Sequence, residues 1–449
     1  MFNKVLVANR GAVAARVLSA LNAMGIASVA VYSEADAGAP YLALATQTYA
    51  IGAAPARESY LNTAQLLEVV RHCGADGVHP GYGFLAESAE FAQQVVDHGS
   101  RFIGPAPRWL AAMGHKTQAR ALAAENGMPM ARGSVVLPED PEAIAIIAAE
   151  IGYPLLVKPA GGGGGIGMLP VREAAGLLAA VERSRSMAAR GFGNAEVFLE
   201  QLIERPRHVE FQVLGDQHGQ LMHFFERDCS TQRRNQKVIE EAPAPQLPRP
   251  QALAMADQIA AILQKMGYDN IGTVEMLLSA NGEFCFLEMN TRLQVEHGVT
   301  EMITGVDLVR AQILSAAGLP LSQCCDTQVK ISGHAIQARV YAEDPKNFYP
   351  SPGTLTVFRP PQIPGVRIDT GYAEGRVVTP HYDPLLAKVI VHAVDRDSAI
   401  TQLLEALRGF EIVGVKHNIP ALLNILDSAP FRSGQVHTGI IGEITGRPA

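Results

Sequence analysis

The residues that most clearly suggest chemistry are five consecutive glycines, Gly161 to Gly165, preceded by Lys158 at the end of an apolar segment. Glycine loses the most conformational freedom on folding, so an ordered glycine run indicates a backbone that must approach something closely. Its free N–H groups form an anion-binding nest, to which Lys158 adds a positive charge. A flexible linker is the alternative, but a linker would more often carry serine and lack flanking strand patterns. We therefore predict a polyphosphate site, which is not a Walker loop because the lysine precedes the glycines.

A second group consists of Glu275, Glu288 and Asn290 in two segments with strand patterns. Residues two apart in a strand share a face, so Phe284 and Phe286 are expected on the same face as Glu288 and Asn290. A solvated polar edge is the alternative, but carboxylates on a face that begins with phenylalanines need a cation. Two carboxylates and an amide oxygen are the hard oxygen ligands that Mg²⁺ prefers.

The residues after this strand could bind and deprotonate an anion. Arg292 and Gln294 continue the same alternation, and Glu296 lies two residues further on, where it could act as a base. The basic segment 232–237 is either a solvated face or a further anion site, and its position next to the strands favours the anion site. Cys229 is interpreted as a small buried residue rather than a nucleophile.

The elements expected to position these groups begin with alternating strands and helices. This pattern predicts βαβ units and a parallel sheet covered by helices. The first turn, Ala8-Asn9-Arg10-Gly11, lacks the dinucleotide fingerprint, which disfavours an NAD or FAD enzyme. The predicted strands are Val5–Ala8, Ala27–Tyr32, Gly77–His79 and Arg101–Ile103, with helices beginning near Gly11, Asn62 and Ser88.

The remaining two thirds of the chain no longer follow this alternation of strands and helices. A helix at about Lys116–Asn126 precedes a small unit, Met130–Glu204, that holds the glycine run between two strands. Antiparallel hairpins follow from Arg207, and more strands and a helix at Ser398–Phe410 follow from His334. The chain is thus expected to combine α/β and α+β regions.

Composition excludes several classes of protein. The 449 residues allow two to four domains, and the net charge of −7 argues against nucleic-acid binding. The five cysteines form no CxxC pair, which favours a reduced protein. An early charge at the N-terminus and the lack of a long apolar run disfavour a signal peptide and a membrane span. A cytoplasmic protein is expected.

At these motifs the chain resembles biotin carboxylase, the ATP-grasp component of biotin-dependent carboxylases, over nearly its whole length. The matching segments are Val7–Gly11, His79–Leu85, Ile103–Pro105, Met113–Lys116, the glycine run, Glu226–Ser230, Glu240–Pro245 and Glu288–His297. The resemblance implies an N-terminal domain at 1–113, an ATP-grasp domain at 114–325 with a mobile lid at 130–204, and a mixed or antiparallel β domain at 326–449. It also implies the reaction, in which ATP and bicarbonate give carboxyphosphate and the carboxyl group passes to N1′ of carrier-bound biotin.

The resemblance also assigns roles to individual residues. It implies Glu296 as the base, with Arg292, Lys237 and Arg339 as the other catalytic residues. Bicarbonate would be bound by Lys237, Arg292, Gln294 and Val295, and biotin by Tyr82 and Arg339. Glu275, Glu288 and Asn290 would hold Mg²⁺ or Mn²⁺. ATP would be bound by Lys116, Lys158, Gly163, Gly164, Gly165, Glu200, Gln201, Ile203, His208, Gln232, Asn235 and Leu277.

Some positions depart from the common pattern of the family. Ile166, Asn235 and Gly298 resemble the urea carboxylase branch, whose final acceptor is a nitrogen compound. Ser19 and Ala23 replace charged residues that support a homodimer in bacterial members, so the sequence leaves both a homodimer and a chain without this contact as alternatives. No Met-Lys-Met biotinylation motif occurs, so a separate biotin carboxyl carrier protein is expected, together with carboxyltransferase subunits.

Two alternative functions are consistent with parts of the sequence. One is a different ATP-grasp ligase, similar to carbamoyl-phosphate synthetase or a purine-pathway enzyme, against which the Arg292–Glu296 stretch and Arg339 argue. The other is a non-catalytic ATP-binding subunit, suggested by Ile166 and Asn235. The intact set of lysines, carboxylates and arginines weighs against the second alternative.

Overall fold

The computed structural model describes residues 1–161 and 166–446, and strands between residues 4 and 102 form the predicted parallel sheet. Five parallel strands take the order β3-β2-β1-β4-β5. Apolar residues of the helices pack on both faces of this sheet. The strands are β1 (Lys4–Val7), β2 (Ala27–Tyr32), β3 (Gln47–Ala50), β4 (Gly77–His79) and β5 (Arg101–Phe102); the helices are α1 (Gly11–Ala23), α2 (Thr63–Cys73), α3 (Ala89–Asp97) and α4 (Pro107–Gly114).

The small unit that follows has an apolar core of its own. Its three antiparallel strands, in the order β7-β6-β8, pack against two helices around Leu155, Val157 and Leu199. Asp140 caps the first of these helices by accepting bonds from two backbone N–H groups. After α5 (Lys116–Glu125), the elements are α6 (Pro141–Ile151), β6 (Leu155–Pro159), β7 (Leu169–Val171), α7 (Leu177–Phe192) and β8 (Val197–Gln201).

An eight-stranded antiparallel sheet supports the rest of the chain, in the order β13-β12-β9-β10-β11-β14-β19-β17. Its first strands and their helices are β9 (Arg207–Gly215), β10 (Leu221–Arg233), β11 (Gln236–Ala242), α8 (Arg249–Met266), β12 (Asn270–Leu278), β13 (Phe284–Asn290), α9 (His297–Thr304), α10 (Leu308–Ala316) and α11 (Leu321–Cys324). The C-terminal elements are β14 (His334–Tyr341), β15 (Gly353–Thr354), β16 (Val357–Arg359), β17 (Val366–Thr370), β18 (Val377–Val378), β19 (Leu385–Ala393), α12 (Arg396–Arg408), β20 (Glu411–Val413), α13 (Ile419–Asp427), α14 (Ala429–Arg432) and α15 (Ile440–Thr445).

This large sheet joins two regions that the sequence analysis separates. Strand β11 pairs directly with β14, with Glu240 opposite Gln337. The predicted division at residues 325 and 326 lies between α11 and β14, and it assigns the neighbouring strands β11 and β14 of one sheet to different domains. Side chains from both regions consequently face the same space above β11 and β14.

A β-bulge at Leu287 overturns the predicted face of β13. Glu275 lies opposite Glu288, but the next residue, Met276, lies opposite Phe286, so Leu287 is an extra residue. The bulge reverses the alternation of side chains. Phe286 packs in the apolar core, while Glu288 lines a cavity on the other side of the sheet. The expectation that the phenylalanines share a face with Glu288 and Asn290 is wrong, because strict alternation does not survive an inserted residue.

A close approach between Gly371 and the start of α1 yields a prediction about stability. A Cβ atom at Gly371 would lie 2.3 Å from the Cα of Gly11 and 2.7 Å from the backbone nitrogen of Ala12. Because both obstacles are backbone atoms at the start of α1, we expect Gly371→Ala to lower the thermal midpoint by about 3 °C or more. Gly176→Ala is the control, since a Cβ there meets nothing within 4 Å. Equal midpoints for the two variants in a thermal melt would contradict this packing.

Among the described residues, no helix is both long enough and apolar enough to cross a membrane.

Candidate active site

One cavity of about 700 Å³ lies between the large sheet, the small three-stranded unit and the N-terminal unit. Every predicted site residue within the described ranges lines it. Gly163, Gly164 and Gly165 lie outside the described residues. The residues brought together are Tyr82, Lys116, Lys158, Glu200, Gln201, Ile203, His208, Gln232, Asn235, Lys237, Glu275, Leu277, Glu288, Asn290, Arg292, Gln294, Val295, Glu296 and Arg339.

Lys237 is the centre of the charged part of this cavity. Its ammonium group donates to Glu210 at 2.5 Å, to Glu275 at 2.7 Å and to Glu296 at 2.7 Å. Burial alone would lower the pKa of Lys237, but the three carboxylates raise it well above its usual value. Lys237 therefore stays charged and holds carboxylates from three different segments at one point.

Glu296 is a fully buried carboxylate bound by two cations. Its second oxygen accepts a hydrogen bond from Arg339 at 3.0 Å, while Lys237 binds the first. Burial acts to raise the pKa of Glu296, but Lys237, Arg339 and Arg227 lower it far below its ordinary value. Glu296 is thus ionised and free of a proton, as a base must be before it acts.

Arg339 also binds a second buried carboxylate, Glu240 on the neighbouring strand β11. Glu240 accepts a further bond from Gln337, its partner in the strand register, at 3.1 Å. Burial raises the pKa of Glu240 to about 7, against the opposing effect of Arg339, and the negative charge of Glu296 adds to the increase. Of the two carboxylates that share Arg339, Glu240 takes up a proton near neutral pH and Glu296 remains ionised.

This difference predicts a pH dependence of stability. The pKa of Glu240 is 4.5 in the unfolded chain, its ordinary value, and about 7 in the folded chain. At pH values between these two, the folded chain holds a proton on Glu240 that the unfolded chain has lost. The free energy of unfolding therefore falls as the pH rises through this window. Glu240→Gln removes this loss, so the variant should gain on the order of 2 kcal/mol relative to the parent between pH 5 and pH 8.

Urea denaturation at the two pH values measures that difference. The control is Glu182→Gln, which changes an exposed carboxylate on α7 and should give the same difference from the parent at both pH values. A constant difference for Glu240→Gln as well would show that Glu240 titrates alike in the folded and unfolded chains.

The predicted metal ligands fit a magnesium ion. Glu275 lies directly opposite Glu288 on the hairpin, and Asn290 lies on the same side of the bulge as Glu288. Glu288 has only a loose contact of 3.4 Å with Lys116, and about a third of its side chain is exposed. Two carboxylates and an amide oxygen around open space are a donor set suited to Mg²⁺, which keeps water or phosphate in its remaining positions. Burial acts to lower the pKa of the neighbouring His208, but Glu275 raises it overall.

Arg292 organises the loop that leaves β13. Its guanidinium donates to Asn290 at 2.7 Å, to Gln294 at 2.9 Å and to Glu87 of the N-terminal unit at 2.8 Å. Further along the loop, the backbone carbonyl of Val295 accepts a hydrogen bond from Lys388 of β19 at 3.1 Å. The loop that carries Glu296 is therefore fixed by residues from all three parts of the chain.

The other end of the cavity is lined by the small three-stranded unit. Lys158 on β6 donates to Glu200 on β8 at 2.5 Å, and both side chains are almost fully buried. Gln201 and Ile203 follow Glu200 and line the same end of the cavity. This end combines an apolar wall, which Leu277 continues, with a lysine and a carboxylate.

The basic segment 232–237 divides between two environments. It is a hairpin turn in which Arg234 and Asn235 both have positive φ, at 48° and 62°, as a two-residue turn of this type requires. Arg233 is buried and paired with Glu343, and Arg234 is exposed. Among the three cations of this segment, only Lys237 lines the cavity, so Arg233 and Arg234 do not contribute to an anion site there.

The sequence analysis missed several groups around the site. They are Glu210, Arg227, Glu240 and Arg120, none of which was assigned a role. Glu210 could have been found, because it lies two residues after His208 in a strand and so shares its face. Arg227 donates to Glu210 at 2.6 Å. It lies in the segment Glu226–Ser230, which supports the family resemblance but does not indicate which residues its side chain contacts.

Comparison with protein families matches three successive parts of the chain. Residues 1–110 match the biotin carboxylase N-terminal domain, residues 115–324 the ATP-binding domain of the carbamoyl-phosphate synthase L chain, and residues 337–443 the biotin carboxylase C-terminal domain. Biotin carboxylase 2 of Bacillus subtilis is 44% identical over 98% of this chain and 99% of its own length. The chain belongs to the biotin carboxylase family.

Other members of the family extend the comparison. The biotin carboxylase of Allochromatium vinosum is 45% identical over 99% of this chain and 99% of its own length. The biotin carboxylase domain dimer of Hydrogenobacter thermophilus 2-oxoglutarate carboxylase, solved with MgADP, ADP and bicarbonate, has a TM-score of 0.94. It is 41% identical, and the match covers 99% of this chain and 98% of that one. The predicted family and fold class are confirmed, and the chain is an ATP-dependent ligase of this family.

Proposed function

We propose that this protein carboxylates biotin carried by another protein, using ATP and bicarbonate, and releases ADP and phosphate. The observation that supports this most strongly is the position of Glu296, an ionised carboxylate held between Lys237 and Arg339. A base between two long cationic side chains suits a reaction that first deprotonates one small anion and then stabilises another. The relatives that act as biotin carboxylases support the same conclusion.

In the first step, a bicarbonate oxygen attacks the γ-phosphorus of ATP. The bond from that phosphorus to the ADP oxygen breaks, and Glu296 accepts the bicarbonate proton. Bicarbonate would bind Arg292, Gln294, Lys237 and the backbone at Val295. When Lys237 and Arg339 turn from Glu296 to the substrates, the carboxylate loses its stabilising cations, its pKa rises, and it becomes a stronger base.

Charge on the phosphates must be neutralised during this transfer. Glu275, Glu288 and Asn290 would hold Mg²⁺ or Mn²⁺, which supplies that neutralisation when bound. Lys116, Lys158 and His208 would contact the phosphates or the ribose. The adenine would lie against Glu200, Gln201, Ile203 and Leu277, with Gln232 and Asn235 near the ribose.

In the second step, the carboxyl group passes from carboxyphosphate to N1′ of biotin, so a carbon–nitrogen bond forms and the carbon–oxygen bond to phosphate breaks. N1′ gives its proton to the phosphate that leaves, and Arg339 would stabilise the negative charge that develops on the ureido oxygen during this transfer. Tyr82, which lines the cavity with Arg339, would lie near the biotin ring. The lid at 130–204 would close to keep water from carboxyphosphate.

The domains and partners complete the proposal. We place the domain limits at 1–113, 114–325 and 326–449, with the small unit that has its own core as the lid. A biotin carboxyl carrier protein would supply biotin, and carboxyltransferase subunits would select the final acceptor. Relatives named as subunits of pyruvate, methylcrotonoyl-CoA and propionyl-CoA carboxylases match this chain about equally well, which supports an acceptor chosen by the partner.

A coupled assay of ADP release tests the proposal. With Mg²⁺ and ATP, release should require bicarbonate and should be stimulated several-fold by free biotin. ADP release without bicarbonate would place the chain with another ATP-dependent reaction. ATP binding with no turnover at saturating biotin and bicarbonate would favour the non-catalytic alternative.

A further inference from the structure

Arg120 forms a charged contact with the lid that no step above uses. It lies on α5, before the lid begins, and donates to Glu200 of β8 at 2.8 Å. Its second terminal nitrogen lies 3.3 Å from the backbone carbonyl of Ala131, at the entrance to the lid. Arg120 therefore spans from α5 to both edges of the lid, and only about a tenth of its side chain is exposed.

The local backbone leaves room for this arginine. Gly133 forms a bridge with Glu200, and a Cβ there would lie 3.2 Å from the terminal nitrogen of Arg120 and 3.0 Å from the carbonyl of Leu199. The aromatic ring of Phe198 lies 5.6 Å from the guanidinium. The arginine is thus held in one position by packing as well as by charge.

Glu200 is consequently shared between two cations. Arg120 binds one oxygen and Lys158 binds the other at 2.5 Å, and both Glu200 and Lys158 are about 95% buried. For Lys158 to serve a phosphate group, it must turn away from Glu200. A buried carboxylate left without a cation would be strongly unfavourable, and Glu200 would then retain Lys158. Arg120 removes that penalty because it stays on Glu200 when Lys158 leaves.

We infer that Arg120 is a positioning residue for ATP, which keeps Glu200 in place on the lid and frees Lys158 for the nucleotide. The inference rests on the proposed function only in taking ATP as the ligand at this end of the cavity. It predicts that the effect of Arg120 acts through Glu200 rather than through general positive charge.

The test measures the Kd of MgATP by calorimetry, and kcat and KM for ATP in the biotin-dependent assay. Arg120→Leu should raise the Kd and KM about tenfold while kcat at saturating ATP stays within about threefold, because a charge-assisted bond to a buried group is lost. Arg120→Lys keeps the charge and should restore the Kd to within about threefold. The matched control is Arg172→Leu, which breaks an exposed ion pair with Glu204 in the same lid and should change neither constant.

A double-mutant cycle makes the inference specific. In a Glu200→Gln background there is no buried charge to hold, so Arg120→Leu should change the Kd by less than about twofold. A loss as large as in the parent, or an unchanged Kd for Arg120→Leu alone, overturns the inference. If Arg120→Leu does not fold, Arg120→Gln takes its place in the cycle. If the parent lacks biotin-dependent turnover but the Kd values follow the prediction, the proposed function fails and the role of Arg120 stands.

Discussion

Replacing Glu296 by glutamine is expected to lower bicarbonate-dependent ADP release by about 10²- to 10⁴-fold, the range for loss of a general base. The change keeps the shape of the side chain but removes its ability to accept the bicarbonate proton. Lys237 keeps Glu210 and Glu275, and Arg339 keeps Glu240, so the neighbouring cations remain paired. The Kd of MgATP should stay within about threefold of the parent value, because we propose that the adenosine part of ATP binds at the other end of the cavity.

A matched control for this variant is Glu241→Gln. Glu241 is also buried on β11 and hydrogen-bonded to two side chains, His334 and Arg396, but it does not line the cavity. Its replacement should change turnover less than about threefold at temperatures well below the thermal midpoint. Comparable turnover for Glu296→Gln and Glu241→Gln, measured by steady-state kinetics, would remove Glu296 from the role of base.

The second large effect concerns Arg339. Arg339→Met should lower biotin-stimulated ADP release at least about 100-fold, as loss of a group that stabilises a developing anion does. Slow, bicarbonate-dependent ATP cleavage without biotin should remain within about fivefold, because carboxyphosphate still forms and then decomposes. Measuring ADP release with and without biotin therefore separates the two steps.

Arg396→Met serves as the control for Arg339→Met. Arg396 also pairs with a buried carboxylate of β11, Glu241, yet it does not line the cavity. Its variant should keep the full stimulation by biotin. An equal loss of both reactions in Arg339→Met would place Arg339 in the first step and contradict its assignment to biotin.

The sequence was informative where the chemistry is local. The stretch from Glu288 to Glu296 keeps ligands, anion-binding residues and base within nine positions, so spacing alone suggested a site. The expected alternation along the strand Phe284 to Asn290 was nevertheless wrong, because the extra residue at Leu287 leaves no pattern in the residue types. The two phenylalanines face the core, and Glu288 reaches the cavity only because of the bulge.

Contacts between distant segments could not be predicted in the same way. Arg339 and Glu240 are 99 positions apart, and Arg120 and Glu200 are 80 apart. A lone arginine on a helix is most often a solvated residue, and nothing near Arg120 in the sequence indicates a buried partner. The pairing of β11 with β14, and the position of β8 of the small three-stranded unit next to α5, create these contacts only in the folded chain.

The origin of the oxygen in released phosphate tests the central claim most directly. Bicarbonate labelled with ¹⁸O, in ordinary water and with short reaction times, is supplied with MgATP and biotin. If a bicarbonate oxygen attacks the γ-phosphorus, each phosphate released should carry one labelled oxygen, which mass spectrometry detects. Release of unlabelled phosphate would show that water is the attacking group and would contradict carboxyphosphate formation at Glu296.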